Sequence, residues 1–314
     1  MTDTLWDALI IGGGTAGLSA AQMLGRARRR TLVIDAGSPR NRFAGHMHGV
    51  LGHDGRSPLD LLAAGRTEAE AYGVAFAAAT VSRLVDAGDH IDIECDDGAT
   101  LSARSVLLAS GVADDLPDIP GLREQWGRGV LHCPYCHGYE VAGRRLGVLA
   151  TSPASLHQIE LIRQWSDDVT AFTAAAGPFD AEVSARLSAR GIRVVTTAVT
   201  AVQEREGTLV GVTTADGAEH PIDALFTAPV PRLLLGFADE LSLAASDQPG
   251  GGVAVDARGA TSHARIFAAG NVVSPYGNVP LSMGQGSMAG AGMNAVLVQE
   301  DAADAVAALS VAAH

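Results

Sequence analysis

The sequence predicts an α/β chain of two Rossmann-like dinucleotide-binding domains, the central one inserted into the other. Three observations predict it. An apolar strand runs straight into a glycine-rich turn and a helix near the N-terminus. A second strand–turn–helix–strand pattern recurs in the middle of the chain. Proline clusters mark both borders of that middle segment. With 314 residues the chain is long enough for two domains, each with its own core. The borders read as 1–115 and 236–314 for the discontinuous domain and 116–235 for the inserted one.

The first unit begins with an apolar strand from Leu5 to Ile11. Gly12-Gly13-Gly14-Thr15-Ala16-Gly17 follows, then a helical pattern from Leu18 to about Arg28. A short strand, Thr31 to Ile34, ends in Asp35. Gly12, Gly14 and Gly17 fit G-x-G-x-x-G. The first glycine permits the tight turn, the second lets the backbone approach a pyrophosphate, and the third permits close helix packing. The helix start at Thr15 and Ala16 then faces the phosphates. Asp35 stands about twenty residues on, where a carboxylate accepts hydrogen bonds from a ribose hydroxyl. A glycine-rich turn without a ligand leaves Asp35 unexplained. The arginines from Arg26 to Arg30 read as a solvated helix end, where cations suit the dipole.

Borders and inner pattern define the inserted unit. Asp114 to Gly121, with Pro117 and Pro120, marks the entry, and Pro229-Val230-Pro231 the exit. Between them lie strand Leu146 to Ala150, helix Ser155 to Trp165, strand Val169 to Phe172 and strand Val194 to Thr197. This unit also carries His132-Cys133-Pro134-Tyr135-Cys136-His137, with two of the chain's 3 cysteines. Thiols two residues apart close a disulfide within one turn, and one of such a pair commonly attacks as a thiolate. The alternative, half of a zinc site, needs a second ligand pair. Cys95, in the predicted strand Ile91 to Cys95, does not supply it and reads as structural. No metal site is expected, although the histidine- and glycine-rich stretch Gly45 to Gly55 leaves metal binding open as an alternative there.

Composition excludes several classes. The net charge of −13 argues against nucleic acid. All 22 basic residues are arginine, so a lysine Schiff base is excluded. The start Met1 to Leu5 lacks a signal-peptide pattern, and no apolar run approaches the ~18 residues of a membrane span. A cytoplasmic protein is expected, and there a lone Cys-x-x-Cys points to catalysis rather than a structural staple.

Two further segments, Val106 to Gly111 and Arg265 to Asn271, are apolar strands ending in small residues. They resemble motifs of the two-dinucleotide-fold flavoproteins, which implies FAD rather than NAD in the first site. The resemblance places Ala109 and Gly111 near the nucleotide. It sets Asn271, beside Gly270, where that family has an aspartate on the ribityl chain. It directs the amides near Met283, Gly284 and Gln285, at the N-terminus of a predicted small-residue helix from Pro280 to Val298, at the flavin pyrimidine. The order of FAD motif, central Cys-x-x-Cys and Ala-Ala-Gly-Asn segment resembles low-molecular-weight thioredoxin reductases over nearly the whole chain. Glutathione-reductase-type relatives are disfavoured, because there the redox pair follows the first FAD motif closely.

Such a reductase needs NADPH, and here the second site departs from the family pattern. The expected glycine turn reads Ala150-Thr151-Ser152-Pro153-Ala154-Ser155. Side chains obstruct a pyrophosphate there, and Pro153 removes a donor. After the next strand, Thr173-Ala174-Ala175-Ala176 has no arginine for a 2′-phosphate. A divergent but working NADPH site is the alternative. The motif Cys133 to Glu140 resembles instead the natural-product dithiol oxidases of the holomycin and gliotoxin type. That resemblance implies a small-molecule dithiol substrate, O2 as acceptor with peroxide as product, and a homodimer. It makes Cys133 the exchanging thiol and Cys136 the one facing the flavin. His137 stands where thioredoxin reductases have an acidic general acid/base, and a pKa near 6.5 suits proton shuttling. The alternatives are a histidine merely packed beside the motif, or His132 in that role. The family pattern places Gly45 to Gly55 on the FAD domain as a loop by the flavin. A reductase fed by NADPH or ferredoxin and a non-catalytic flavin sensor remain as competing readings.

Overall fold

The computed structural model describes residues 5–248 and 250–312. The residues Met1–Thr4, part of the start read for a signal segment, lie outside the described residues. The chain divides into two compact units, one of Met1–Arg42, Leu59–Ala113 and Pro231–His314, the other of Phe43–Pro58 and Asp114–Val230. The chain enters the second unit at Phe43 and again at Asp114, and leaves it after Pro58 and after Val230. The structure corrects the placement of Gly45 to Gly55. That loop belongs to the central unit and not to the dinucleotide unit that flanks it in sequence.

In chain order the first unit contributes β1 (Leu5–Ile11), α1 (Thr15–Arg26), β2 (Thr31–Asp35), α2 (Pro58–Ala71), β3 (Ala75–Ala78), β4 (Val81–Asp86), β5 (Ile91–Cys95) and β6 (Thr100–Leu108). After β7 (Val112–Asp115) the central unit supplies β8 (Val130–Leu131), α3 (Pro134–His137), β9 (Leu146–Leu149), α4 (Leu156–Ile162), β10 (Val169–Phe172), α5 (Ala181–Ala189) and β11 (Arg193–Val195). It continues with β12 (Val199–Arg205), β13 (Thr208–Thr214), β14 (Glu219–Pro221) and β15 (Ala224–Thr227). The chain ends, after β16 (Val230–Leu233), in β17 (Ile266–Ala268) and α6 (Val279–Ala312).

Among the described residues the first unit builds a seven-stranded sheet in the order β3-β2-β1-β6-β5-β4, with β17 on β6. The pairs of β1 with β2 and β6, of β2 with β3, and of β6 with β17 are parallel. Strands buried on both faces read as continuous apolar runs, which is why Ala8-Leu9-Ile10-Ile11 and Val106-Leu107-Leu108 are recognisable from sequence. Each fully buried Leu or Ile contributes about 1.5–3 kcal/mol. The helices α1 and α6 cross closely on one face. Gly286 and Gly290 of α6 lie against the backbones of Ala16 and Ala20. Farther along, Arg29 donates to Asn294 at 2.8 Å, and Arg104 and Arg265 each reach Glu300 at 3.0 Å.

The central unit has a parallel sheet in the order β11-β10-β9-β15-β8, again among the described residues, and an antiparallel sheet β12-β13-β14. The order 3-2-1 of β11, β10 and β9, joined by α4 and α5, is half of a doubly wound fold. Leu146, Val148, Ala171 and Phe226 fill its core. No helix among the described residues is long and apolar enough to cross a membrane.

A Cβ at Gly286 would run into the Ala16 carbonyl, whereas one at Gly284 meets nothing within 4 Å. Gly286→Ala is therefore expected to destabilise the protein by about 1–3 kcal/mol. Gly284→Ala is expected to hold or raise stability by roughly 0.5–1 kcal/mol. Thermal denaturation of the two variants checks the opposite signs.

Candidate active site and dinucleotide turns

At the end of β1 the chain must turn sharply beneath the end of β6. Gly12 does so at φ +111°, a conformation L side chains rarely adopt, and a Cβ there would strike the Ala109 carbonyl. Gly17 sits so near the Gly12 carbonyl oxygen that a side chain has no room. Gly14, the N-cap of α1, makes no side-chain cap and has nothing within 4 Å on its Cβ side. The first amides of α1, from Thr15 and Ala16, thus face an open cradle suited to a pyrophosphate. Asp35 ends β2 beside this turn. A Cβ on Gly13 would lie 2.7 Å from its Oδ2. Ala109 and Gly111 follow β6 at the same end of the sheet. These residues fit FAD.

Two expectations change in detail. Asn271 directs its Nδ2 at the carbonyls of Ser274, at 3.0 Å, and Gly277, at 2.9 Å. Its amide nitrogen closes its own loop, so Oδ1 is the atom left for a ribityl hydroxyl. The helix α6 starts at Val279, and the Asn278 side chain accepts from Leu281 N at 3.1 Å. Met283, Gly284 and Gln285 therefore lie in the second turn, where amides bond carbonyls four residues back. Their backbone does not offer the free amides expected of a helix start. Instead the Gln285 side chain accepts from Gly270 N at 3.0 Å and donates to Ser274 Oγ at 2.9 Å. It thus locks Gly270 and the Asn271 loop to the helix.

In the central unit, β8 delivers the chain to the cysteines. Pro134 opens the short α3, a position that needs no N–H. Cys133 and Cys136 form a disulfide with a Cα separation of 5.2 Å. Cys136 N donates to Cys133 O at 3.2 Å and Gly138 N to Pro134 O at 2.7 Å, which sets both cysteines in one turn. Gln158 of α4 holds the His132 carbonyl at 2.8 Å.

His137 follows Cys136 directly and ends α3. Its Nδ1 is buried with no hydrogen-bond partner. Burial holds its pKa below the ordinary histidine value. Glu140 pushes it up, and His46 and His48 push it down again. The loop Phe43–Pro58 supplies these two histidines. His48 Nε2 stands 3.3 Å from Glu140 Oε1, and its Nδ1 stands 3.2 Å from Asp54 Oδ2. Gly49 N donates to Asp54 at 2.9 Å, and this bond, with that from His48, holds the Asp54 carboxyl below its ordinary pKa. The His46 ring meets His48 edge-on at 5.2 Å. Among the described residues the buried polar atoms without a hydrogen-bond partner include His48 Nε2, His137 Nδ1 and Glu140 Oε2. Such atoms are rare in folded proteins and call for an explanation. Sequence reasoning gave Glu140, His48 and Asp54 no role. The histidine-rich loop was visible, but its partner ninety residues away was not. Cys95, buried in β5, has a thiol pKa pushed up by burial and is structural.

The second turn is closed. Ser155 Oγ accepts from Thr151 N at 3.1 Å and from Ser152 N at 3.4 Å. Ser155 N in turn donates to Ser152 O at 3.0 Å. The amides that would grip a pyrophosphate are engaged within the turn, and Ser155 is 4% exposed. After β10, Thr173 is buried, and the alanines beyond it carry no cation. These residues do not fit a nicotinamide dinucleotide.

Residues 6–288 match the family described as pyridine nucleotide-disulphide oxidoreductase. A protein named thioredoxin reductase tcpT, from Claviceps purpurea (strain 20.1), is 34% identical over 311 residues, 92% of this chain and 93% of that protein. The crystal structure of HlmI superposes with a TM-score of 0.94 at 39% identity, covering 99% of this chain and 98% of that one. An oxidoreductase from Agrobacterium tumefaciens superposes with a TM-score of 0.89 at 39% identity, covering 94% of this chain and 99% of that one. An open dinucleotide turn and a Cys-x-x-Cys disulfide occur together in this chain. The chain belongs to the pyridine nucleotide-disulphide oxidoreductase family, among its thioredoxin reductase-like, FAD-binding members.

Proposed function

We propose that this disulfide oxidoreductase runs as an oxidase, closing the two thiols of a small-molecule dithiol into a cyclic disulfide and forming hydrogen peroxide from dioxygen. The observation that carries the reading is the closed turn at Thr151–Ser155, standing in the same unit as an intact Cys133–Cys136 disulfide. A redox pair without a usable nicotinamide site can draw its electrons from a thiol substrate. The proposal includes a cytoplasmic homodimer, as the family resemblance implies.

Exchange begins when a substrate thiolate attacks Cys133 Sγ, giving a mixed disulfide and freeing the Cys136 thiolate. The second substrate thiol then displaces Cys133. The substrate leaves as its disulfide, and the enzyme holds two thiols. Gly12, Gly14, Thr15, Ala16, Gly17 and Asp35 would hold FAD, which supplies the two-electron acceptor for the cysteine pair and returns the electrons to dioxygen. His137, kept neutral by burial, accepts a thiol proton at neutral pH. Glu140 stabilises the imidazolium so formed, and His48, between Glu140 and Asp54, sets the position of that carboxylate.

A second reading is favoured by the names of the relatives, which are called thioredoxin reductases. Mixing the oxidised protein anaerobically with NADPH separates the two. We expect little flavin bleaching with NADPH and rapid bleaching with a reactive dithiol. Fast, complete bleaching by NADPH would restore the reductase. Denaturation is expected to release a flavin that chromatographs as FAD. Cys133→Ser and Cys136→Ser should each abolish dithiol turnover with flavin retained, and bleaching of Cys133→Ser at the wild-type rate would refute the relay.

The histidine gives a pH signature. A pKa lowered by burial leaves the accepting, neutral form in place down to below about 6.5. The wild-type reductive rate should therefore lose its base form only under more acid conditions. His137→Ala should slow that rate by about 10²-fold and remove the acid limb. Glu140→Gln removes the charge that raises the pKa and should move the limb to still lower pH. Pre-steady-state rates from about pH 5 to 8 measure all three.

A further inference from the structure

Two large aromatic side chains flank the disulfide and stay in solvent. Tyr135 is 74% exposed and Tyr139 is 84% exposed. Single exposed apolar residues are ordinary, but an aromatic pair beside a reactive disulfide carries information. The bond from Gly138 N to Pro134 O extends helical geometry past His137. In that geometry residues four apart share a side, which groups Tyr135 with Tyr139.

The platform is braced from below. Trp165 meets the Tyr135 ring edge-on, with centroids 5.6 Å apart. The indole packs on the core of the central unit and lies so close to Gly138 that a Cβ there would be 2.9 Å away. A ring held this way loses little freedom when a ligand stacks on it. The platform is also uncharged. From Gly129 to Tyr139 the chain has no Asp, Glu, Lys or Arg, and the next residue, Glu140, faces His48.

We propose that Tyr135 and Tyr139 select the substrate by stacking on a flat, uncharged ring that bears the two thiols. The inference rests on the dithiol-exchange reading above and names its substrate class. Stacking sets the thiols of such a ring at the cysteine pair. The first attacks and opens the Cys133–Cys136 bond, and the second closes the substrate disulfide. The substrate loses two electrons and two protons, and the enzyme disulfide gains them as two thiols. An open-chain dithiol reacts by the same balance without the ring contact.

The test uses the oxidised, FAD-loaded full chain under anaerobic conditions. 2-(Sulfanylmethyl)benzenethiol, which closes to a five-membered cyclic disulfide, is the ring-borne probe and dithiothreitol the open-chain one. Opening of the Cys133–Cys136 bond is read by alkylation and mass spectrometry, and the quantity of interest is the ratio of the two rate constants. Tyr135→Ala and Tyr139→Ala are each expected to lower the ratio about threefold and the double variant about tenfold. Tyr135→Phe and Tyr139→Phe should keep the wild-type ratio. A ratio unmoved in the double variant, or equally lowered by the phenylalanine variants, overturns the inference. Peroxide is assayed separately in air. Selective opening without peroxide removes the oxidase reading and supports the stacking role. If neither dithiol opens the disulfide, both fall.

Discussion

The chemistry of this protein turns on what the backbone amides of two strand–helix turns bond to. Buried or half-buried amides must find partners. At the turn after β1 the sequence supplies no side chain, and Gly14 leaves α1 uncapped and open. At the turn after β9 the Ser155 hydroxyl takes the amides of Thr151 and Ser152 itself. The same doubly wound scaffold is therefore ready for a dinucleotide in one place and self-satisfied in the other. Opening the second turn would mean breaking the internal hydrogen bonds of a nearly buried serine, each worth about 1 kcal/mol net. It would also leave the proline without a donor to offer.

The closed turn keeps the fold and, in the proposed oxidase, redirects the electrons. Nothing about β9, β10 and β11 weakens when the pyrophosphate site is filled in, because the core below it, around Val148 and Ala171, packs independently of any ligand. A unit can thus lose a cofactor while still holding the Cys-x-x-Cys turn on β8 and α3. Function is read from such sites and not from the fold.

Much of this was legible in the residues. Elements with a strong local signal fell at or near their expected limits: Leu5–Ile11, Ile91–Cys95 and Val169–Phe172 match residue for residue. The missing glycines after β9 announced the closed turn, although the hydroxyl that closes it could not be singled out. Long-range pairings were not legible. Gly45 to Gly55 sits between elements of the dinucleotide unit in sequence, yet it packs in the central unit. Its His48 meets Glu140 across a separation that no periodicity encodes. The helix α6 starts at Val279, one residue before the expected Pro280, but runs on past the expected Val298 to Ala312. Small residues dominate Pro280 to Val298, so helix propensity alone gave no border, and the cap is Asn278, which was not weighed.

The histidine cluster balances opposing effects, and their order decides its use. Burial acts first on His137 and favours the neutral ring; Glu140 opposes it, and two neighbouring histidines reinforce it. Were the carboxylate to win, His137 would rest protonated, unable to take a proton from an attacking thiol. Were the carboxylate absent, the imidazolium formed during exchange would be a buried charge without a partner, which is costly. The arrangement leaves the ring neutral at rest and places a carboxylate near it when it charges. His48 stands between the two carboxylates, 3.3 Å from Glu140 and 3.2 Å from Asp54. In the proposed exchange the partnerless Nδ1 of His137 is the atom with acceptor capacity to take the thiol proton.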